Sequence, residues 1–439
     1  MIGRSPGACK PGGTLGAEQW LAGPGRTGLP RTCGRCMGRD PRPRSPMPRH
    51  PRVAPTAAGL THDVYSALVE RARSRPGPIY PLHVGDTWRE PLPAARAEAQ
   101  RSADTPRLHG YAPVQGEPGL LEAIRRRLAS RHGAEIDPAC LQVMPGATTG
   151  LAVVLHALLA PGDELVLPSP FWPLIRGIAI SRGCTPVEVP FFTRLDDRAF
   201  DAEAALEQAV GPRTAAIYVN APNNPSGRLL PEAAADAIST VARRHDLWVI
   251  ADEAYEELVY EGLHRPLWRR PELAGRVVVT HTLSKSHALA GARIGYTHGP
   301  AEAMRAVRAV QFHESYCAAR PMQLAAARAL ESGDAWLEET RASYAAAGRA
   351  AAAAVGGSPP EAGTFLFFDA APSFAPGERL DGFLERCLDA GVLLTPGPAC
   401  GRGFESWVRL CFTAVAPDAL SDALARLGSV VRRSPATPP

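Results

Sequence analysis

The chain has 439 residues, 45% of them hydrophobic and 21% charged, with a net charge of +4, an ordinary globular composition whose length suggests roughly two or three domains. No apolar run is long enough to span a bilayer, and no dense Lys/Arg stripe with interleaved aromatics appears, so neither a membrane span nor nucleic-acid binding is indicated. Nine scattered cysteines suit reduced thiols, hence a cytoplasmic location, and the single CxxC of Cys33 and Cys36 lacks the second pair or histidines a zinc site needs, so no metal is expected.

In chain order, the first 55 residues are dense in Gly, Pro and Arg, as in 40-DPRPRSPMPRHPR-52. They show no apolar period and cannot bury enough surface to offset the entropy of ordering, so 1–55 reads as a disordered tail. No apolar core follows the basic start, so a signal peptide is not expected, and Met37 or Met47 is an alternative start. Folded pattern begins near Leu60, with a helix over 61–74 and an extended piece at 79–86. From about residue 117 helix and strand alternate. Helices are expected over 118–133, 148–159, 201–210 and 231–245. Strands are expected at 164–168, 185–190, 214–220, 247–252, 276–281 and 293–298. Leu121, Ile124 and Leu128 recur at helical spacing in the first helix. The strands are short, β-branched and continuously apolar, which suits a sheet covered on both faces. Such alternation gives an α/β domain with a mainly parallel sheet. After about 315 the pattern changes to Ala-rich helices and short strands at 364–370 and 407–412, a smaller α+β unit completed by residues near the start of the fold. The expected division is 1–55 for the tail, 106–315 for the large domain, and 56–105 with 316–439 for the small one.

Residue usage points to a site. Of 48 Lys and Arg, only Lys10 and Lys285 are lysine. Arginine serves wherever a positive charge suffices, and what lysine adds is an amine that can lose its proton and attack a carbonyl to form a Schiff base. A surface lysine that never became arginine would look the same. Asparagine occurs only at Asn220, Asn223 and Asn224, in 220-NAPNNPSG-227. The loop follows a strand, where ligand crevices of open α/β sheets lie, although the same residues also suit a plain turn. Asp252 ends the next apolar strand and needs a cationic or N–H partner there, unless it only caps a helix. Lys285 follows the strand after that, flanked by the hydroxyls of Thr282 and Ser284, with Arg293 beyond. The segment 144-MPGATTG-150 opens a helix whose first amides form an anion site. An amine, a carboxylate, an amide, hydroxyls, an arginine and N–H donors at strand ends are together what pyridoxal phosphate uses: lysine for its aldehyde, an acid for its pyridine nitrogen, an anion cradle for its phosphate.

From about residue 60 the sequence resembles the class I/II aminotransferases, the aspartate-aminotransferase, fold-type I family of pyridoxal phosphate enzymes. The motifs run in the family's order: Tyr111 with Gly116, 145-PGATTG-150, 170-PFW-172, 222-PNNPSG-227, 252-DEAY-255, 284-SKSHALAGARIGY-296 and 409-RLCFT-413. The resemblance implies a large domain with a mainly parallel, seven-stranded sheet and a smaller α+β domain. It implies that Lys285 forms the internal aldimine and moves the proton between Cα and the cofactor, and that Asp252 keeps the pyridine nitrogen protonated. Tyr255 and Asn224 bond the ring's 3-oxygen. Arg293, Thr282, Ser284, Ala147 and Thr148 hold the phosphate, and Trp172 stacks on the ring. Arg409 grips the substrate carboxylate, with Asn224 and Gly85 beside it. Tyr111 reaches the partner subunit's site, which implies a homodimer. Thr282 stands where many relatives have serine, and His287 and Ala288 where they often have an aromatic and a glycine. Arg320 lies in a stretch that in relatives approaches the neighbouring site, and it reads either as a contact to an acidic substrate side chain or as an ordinary helix-start arginine. The implied activity is exchange of an amino group between an amino acid and a 2-keto acid. Lyases, decarboxylases and synthases share the fold. A cofactor-binding regulator of this fold would carry a helix-turn-helix module, which the Gly/Pro/Arg tail is not.

Overall fold

The computed structural model describes residues 53–58, 60, 67–101 and 105–431. Most of the expected tail, Lys10 and the Cys33/Cys36 pair lie outside the described residues. Pro55–Ala58 forms one helical turn, so the tail boundary set at 55 falls inside an ordered element. Of the helix expected over 61–74, residues 61–66 lie outside the described residues and Val69–Arg73 is helical.

Seven short strands make the main sheet: β1 Leu141–Met144, β2 Glu164–Ser169, β3 Thr185–Pro190, β4 Thr214–Asn220, β5 Trp248–Asp252, β6 Val277–Thr282 and β7 Gly295–His298. Their order is β1-β7-β6-β5-β4-β2-β3. The pairs β2–β3, β2–β4, β4–β5 and β5–β6 are parallel, while β7 runs against both β6 and β1. The sheet is covered on both faces, as its unbroken apolar strands require. Leu165, Leu167, Ile250 and Val278 bury with the helices Gly146–Leu158 and Ala301–Glu314. The alternating positions Val166, Ile217, Val249 and Val279 bury with the helix Glu232–Arg244. Each such aliphatic side chain contributes about 1.5–3 kcal/mol on burial.

Three further strands, β8 Phe365–Asp369, β9 Thr395–Pro396 and β10 Trp407–Cys411, form an antiparallel sheet in the order β8-β10-β9. The extended piece 79–86 is built into this C-terminal region. Tyr80 bridges Val392, and the Cys411 amide donates to the Leu82 carbonyl at 2.8 Å.

Further departures from the sequence reading lie around the edge of the main sheet. β1 was not expected, because four residues including the polar Gln142 carry too little pattern. The strand expected from 293 begins at Gly295, because Arg293 adopts φ 55°, ψ 51°, the left-handed conformation. The helix expected from 148 begins at Gly146. The consequence for function is geometric. The last residues of β1, β2, β4, β5 and β6 and the first of β7 share one edge, since Asn220 pairs with Asp252, and Gly295 with both Thr282 and Met144.

Candidate active site

A cavity of about 210 Å³ opens at that edge. Lys285, Asp252, Tyr255, Asn224, Ala147, Thr148, Trp172, Thr282, Ser284, Arg293, Arg409 and Gly85 all line it, so chain positions more than 300 residues apart converge. Tyr111 does not line it. Tyr111 is 82% exposed, with its ring 4.8 Å from that of Tyr316.

Lys285 lies in the turn after β6. The Leu283 carbonyl accepts from the amides of His287 and Leu289, both at 3.2 Å, and the Ser284 amide donates to the Thr282 hydroxyl at 3.2 Å. Ala288 takes φ 54° in this turn, a conformation that glycine adopts freely. His287 is buried, and its Nδ1 lies 2.8 Å from the Ser286 hydroxyl. The Lys285 amine donates to the Gly85 carbonyl. Burial disfavours its charged form and lowers its pKa, with Arg409 and Arg293 acting the same way and Cys411 and Asp86 opposing.

Asp252 ends β5 and is 4% exposed. Burial pushes its carboxyl up to about 6, against the hydrogen bonds from Tyr218 and the Ala254 amide. The Tyr218 hydroxyl donates to Oδ2 at 2.7 Å, and the amide to Oδ1 at 3.2 Å. Tyr218 went unnoticed in the sequence, where a tyrosine inside an apolar strand reads as core. Its signal was a place two residues before Asn220, on the face that carries the strand-end polar groups.

The three asparagines divide their work. Asn220 donates to the Asp252 carbonyl at 2.9 Å and accepts from the Asn224 amide at 2.7 Å. Asn223 is the turn former, accepting from the Ser226 amide at 3.1 Å and donating to the Pro170 carbonyl at 3.1 Å. Asn224 reaches the cavity, where its Nδ2 donates to the Tyr255 hydroxyl at 3.2 Å and its Oδ1 accepts from Arg409 Nη1 at 3.1 Å. Burial raises the Tyr255 phenol, so it stays protonated.

The helix Gly146–Leu158 starts at the cavity with Ala147 and Thr148 in its first turn. Gly146 has φ 82°, and a Cβ there would overlap the Arg293 guanidinium. The absent side chain is what lets the cation sit against the helix N-terminus. Arg293 Nη1 donates to the Ala290 carbonyl at 2.8 Å, and the Thr282 and Ser284 hydroxyls lie 2.8 Å apart. Helix amides, a guanidinium and two hydroxyls make a cradle for a phosphate ester.

Arg409, on β10, is 1% exposed. Its Nη2 donates to the His83 carbonyl at 3.0 Å and to the Thr395 hydroxyl at 3.2 Å, and its Cζ stands 4.3 Å from the centre of the Phe365 ring. A Cβ on Gly85 would come within 2.7 Å of that ring, so this position needs glycine. Trp172 precedes the helix Pro173–Ser181 and forms another wall.

Behind the site, the segment after Asp252 is clamped by charge. Glu256 accepts from His132 Nε2 at 2.9 Å and pairs with His281 at 2.8 Å. Glu257 pairs with Arg127 at 2.6 Å and Arg131 at 3.3 Å, and Glu253 pairs with His264. No local pattern announces this network, because His132, His281, Arg127 and Arg131 come from segments distant from Glu256 and Glu257. Arg320 begins the helix Arg320–Ser332 and donates to Glu117 at 2.8 Å and to the Arg107 carbonyl at 2.7 Å.

A buried amine with a lowered pKa, a buried acid and an anion cradle in one cavity fit the aldehyde, the pyridine nitrogen and the phosphate of pyridoxal phosphate. Comparison with known proteins agrees. The profile of aminotransferase class I and II matches residues 79–427. The arginine–pyruvate transaminase AruH of Pseudomonas aeruginosa is 33% identical over 307 residues, 68% of this chain and 77% of that protein. The aspartate/prephenate aminotransferase of Thermus thermophilus is 32% identical over 360 residues, 77% of this chain and 87% of that protein. A solved double mutant of Thermus thermophilus aspartate aminotransferase superposes with a TM-score of 0.78 at 27% identity, covering 87% of this chain and 100% of that one. The chain belongs to the class I and II aminotransferases, the pyridoxal phosphate-dependent transferases of fold type I.

Proposed function

We propose that this aminotransferase works at the strand-end cavity and that its residues divide the task as follows. When bound, the cofactor supplies an aldehyde that condenses with amines and a protonated ring that takes up the electrons of a broken bond at Cα. Lys285 offers the amine that would hold the aldehyde, and once released its Nζ would take the proton from substrate Cα and deliver it to the former aldehyde carbon of the cofactor. Asp252 keeps a proton on the ring nitrogen, positioned by Tyr218. Tyr255 and Asn224 hydrogen-bond the ring's 3-oxygen, and Trp172 covers a ring face. Arg293, Thr282, Ser284, Thr148 and the Ala147 amide hold the phosphate. Arg409 takes the substrate carboxylate in a two-pronged grip beside Asn224 and Gly85, so that the Cα–H bond is presented to Lys285. The substrates are an amino acid and a 2-keto acid. Lyase or decarboxylase chemistry on the same frame is not favoured, since the named relatives are aminotransferases.

Assembly and location belong to the same proposal. A homodimer is supported by the exposed Tyr111, which has no part in its own cavity. A large domain over 106–315 and a small one from 56–105 with 316–439 is supported by the two sheets and by the Tyr80–Val392 bridge. Cytoplasmic residence is supported by free thiols at all six described cysteines. Among the described residues, no helix is long and apolar enough to cross a membrane.

The observation that carries the assignment is the buried Lys285 amine sharing a cavity with Asp252 and Arg409. Lys285→Arg keeps the charge and removes the reactive amine. The variant is expected to keep its far-ultraviolet dichroism and lose both turnover and any borohydride-reducible cofactor adduct. An adduct on the Lys285→Arg chain would overturn the assignment.

A further inference from the structure

The stretch 253–257 holds three carboxylates to which the reading proposed above, on which this inference rests, gives no task. Glu253, Glu256 and Glu257 are all buried. Two of them have evident counter-charges. Glu257 pairs with Arg127 and Arg131. Glu253 pairs with His264, where burial is outweighed by the carboxylate and the imidazole's pKa rises. Glu256 differs. Among the described residues its carboxylate pairs only with imidazoles, His132 at 2.9 Å and His281 at 2.8 Å, while the Arg131 guanidinium donates to the Glu256 carbonyl instead. Burial opposes its charge, yet His281 and His132 hold its carboxyl well below the usual range. A buried carboxylate without a counter-charge is costly, so one of the two rings carries an extra proton.

The surroundings of the two rings select His281. Its Nδ1 faces Glu256, and its Nε2 lies 3.1 Å from Nε2 of His298. Facing nitrogens at that distance share one proton. Burial, and then His281, push His298 well below the usual imidazole range, so His298 is neutral and its Nε2 accepts. An imidazolium is the form of His281 that donates from both nitrogens. The His281 ring also stacks on that of Tyr296, 4.4 Å centre to centre at 15°, an arrangement that favours a cation. His132 has one acceptor among the described residues, Glu256, and sets its ring edge-on to Trp268 at 5.2 Å.

The place of this charge gives it a use. Asp252 pairs with Thr280 across β5 and β6, and His281 is the next residue, immediately before Thr282 of the phosphate cradle. Successive strand residues face opposite ways, so His281 acts on Asp252 through the sheet and not by contact. Burial raises the Asp252 carboxyl, and a positive His281 counters it while Glu253 adds to it. The other charged groups around β6 are already engaged. Arg127 and Arg131, from the helix Pro118–His132, hold Glu257. Arg269 lies over the Trp268 ring at 5.4 Å, and His156, on the helix that covers the other face, is tied to Glu314 at 2.7 Å. Burial brings His287 down to about 4, so it adds no charge at neutral pH. We propose that His281 is a buried imidazolium, paired to Glu256, that serves as an electrostatic positioning residue for the ring-nitrogen acid Asp252. It keeps that acid charged to lower pH than burial alone allows.

Two measurements test this, and neither needs turnover. The first is nitrogen NMR of the full-length apoenzyme with labelled histidine, at neutral pH. The ring signal lost in His281→Gln is expected to carry protons on both nitrogens. A singly protonated His281 ring overturns the proposal. His281→Asn serves the same comparison if the glutamine variant does not fold. The second is cofactor affinity against pH by equilibrium dialysis. Without the cation the Asp252 carboxyl rises, so its charge is lost at higher pH. The acid limb of His281→Gln should therefore move up by at least about half a pH unit, and affinity at a fixed pH on that limb should fall about threefold. His132→Gln should leave the limb in place. An unmoved limb in folded His281→Gln, or a limb that follows His132 instead, overturns the proposal and leaves the role of Asp252 intact. A wild-type enzyme with no acid limb at all would remove Asp252 from the ring nitrogen and overturn both.

Discussion

Burial acts on the two central ionisable groups in opposite senses and brings both toward their neutral forms. It lowers the Lys285 ammonium, which makes a free amine available at lower pH than an ordinary lysine allows. It raises the Asp252 carboxyl to about 6. The raised acid carries its charge above that pH and loses it below, so the grip on a protonated ring nitrogen is present above about 6 and fades as pH falls through it. Cofactor affinity of the apoenzyme should accordingly drop by up to about tenfold per pH unit on the acid side. Equilibrium dialysis against pH reads this out, and Asp252→Asn should abolish that dependence while weakening binding at neutral pH. Tyr218→Phe removes a hydrogen bond that favours the carboxylate. The acid limb should then move to higher pH, by on the order of one unit; an unmoved limb would show that Tyr218 does not tune Asp252. Lys285 was legible in the sequence because arginine serves every other basic position except Lys10. Tyr218 was not, since only register with a neighbouring strand gives its hydroxyl a partner.

At the scale of elements, the site is a property of where strands stop. β-branched apolar runs fixed β2 through β6 to within a residue or two, and their polar last residues marked the crevice. β1 escaped notice because four residues cannot display a period. The start of β7 was misplaced because a left-handed arginine leaves no trace in composition, only in the glycines around it. Gly146 is the sharpest case. Its φ of 82° and the neighbouring Arg293 guanidinium leave no room for a side chain. Gly146→Ala should cost about 1–2 kcal/mol from the left-handed backbone alone, read by urea unfolding. It should also push Arg293 out of the cradle and weaken the hold on the cofactor phosphate, with inorganic phosphate binding to the apoenzyme reduced in parallel. Unchanged phosphate binding would separate the cradle from this glycine.

At the scale of the whole molecule, one cavity draws on both sheets. Arg409 from β10 bonds Asn224 beyond β4, and the piece at 79–86 contributes Gly85 after pairing with strands more than 300 residues away. Local pattern cannot announce such contacts. They were anticipated only as an extended segment and through the family resemblance, and the charged clamp around Glu256 was not anticipated at all. The exposed Tyr111, its ring tilted against that of Tyr316, gives the assembly prediction. The active form should sediment as a dimer, and Tyr111→Phe should weaken cofactor affinity without dissociating it; fully active monomer at assay concentration would contradict this. The central claim is that Lys285, Asp252 and Arg409 together run amino-group exchange. Its most direct test is a single half-reaction on the cofactor-loaded enzyme with an amino acid and no acceptor. The account predicts one equivalent of 2-keto acid per site, then no more until a second 2-keto acid is added. Sustained release of ammonia or carbon dioxide without acceptor would contradict it.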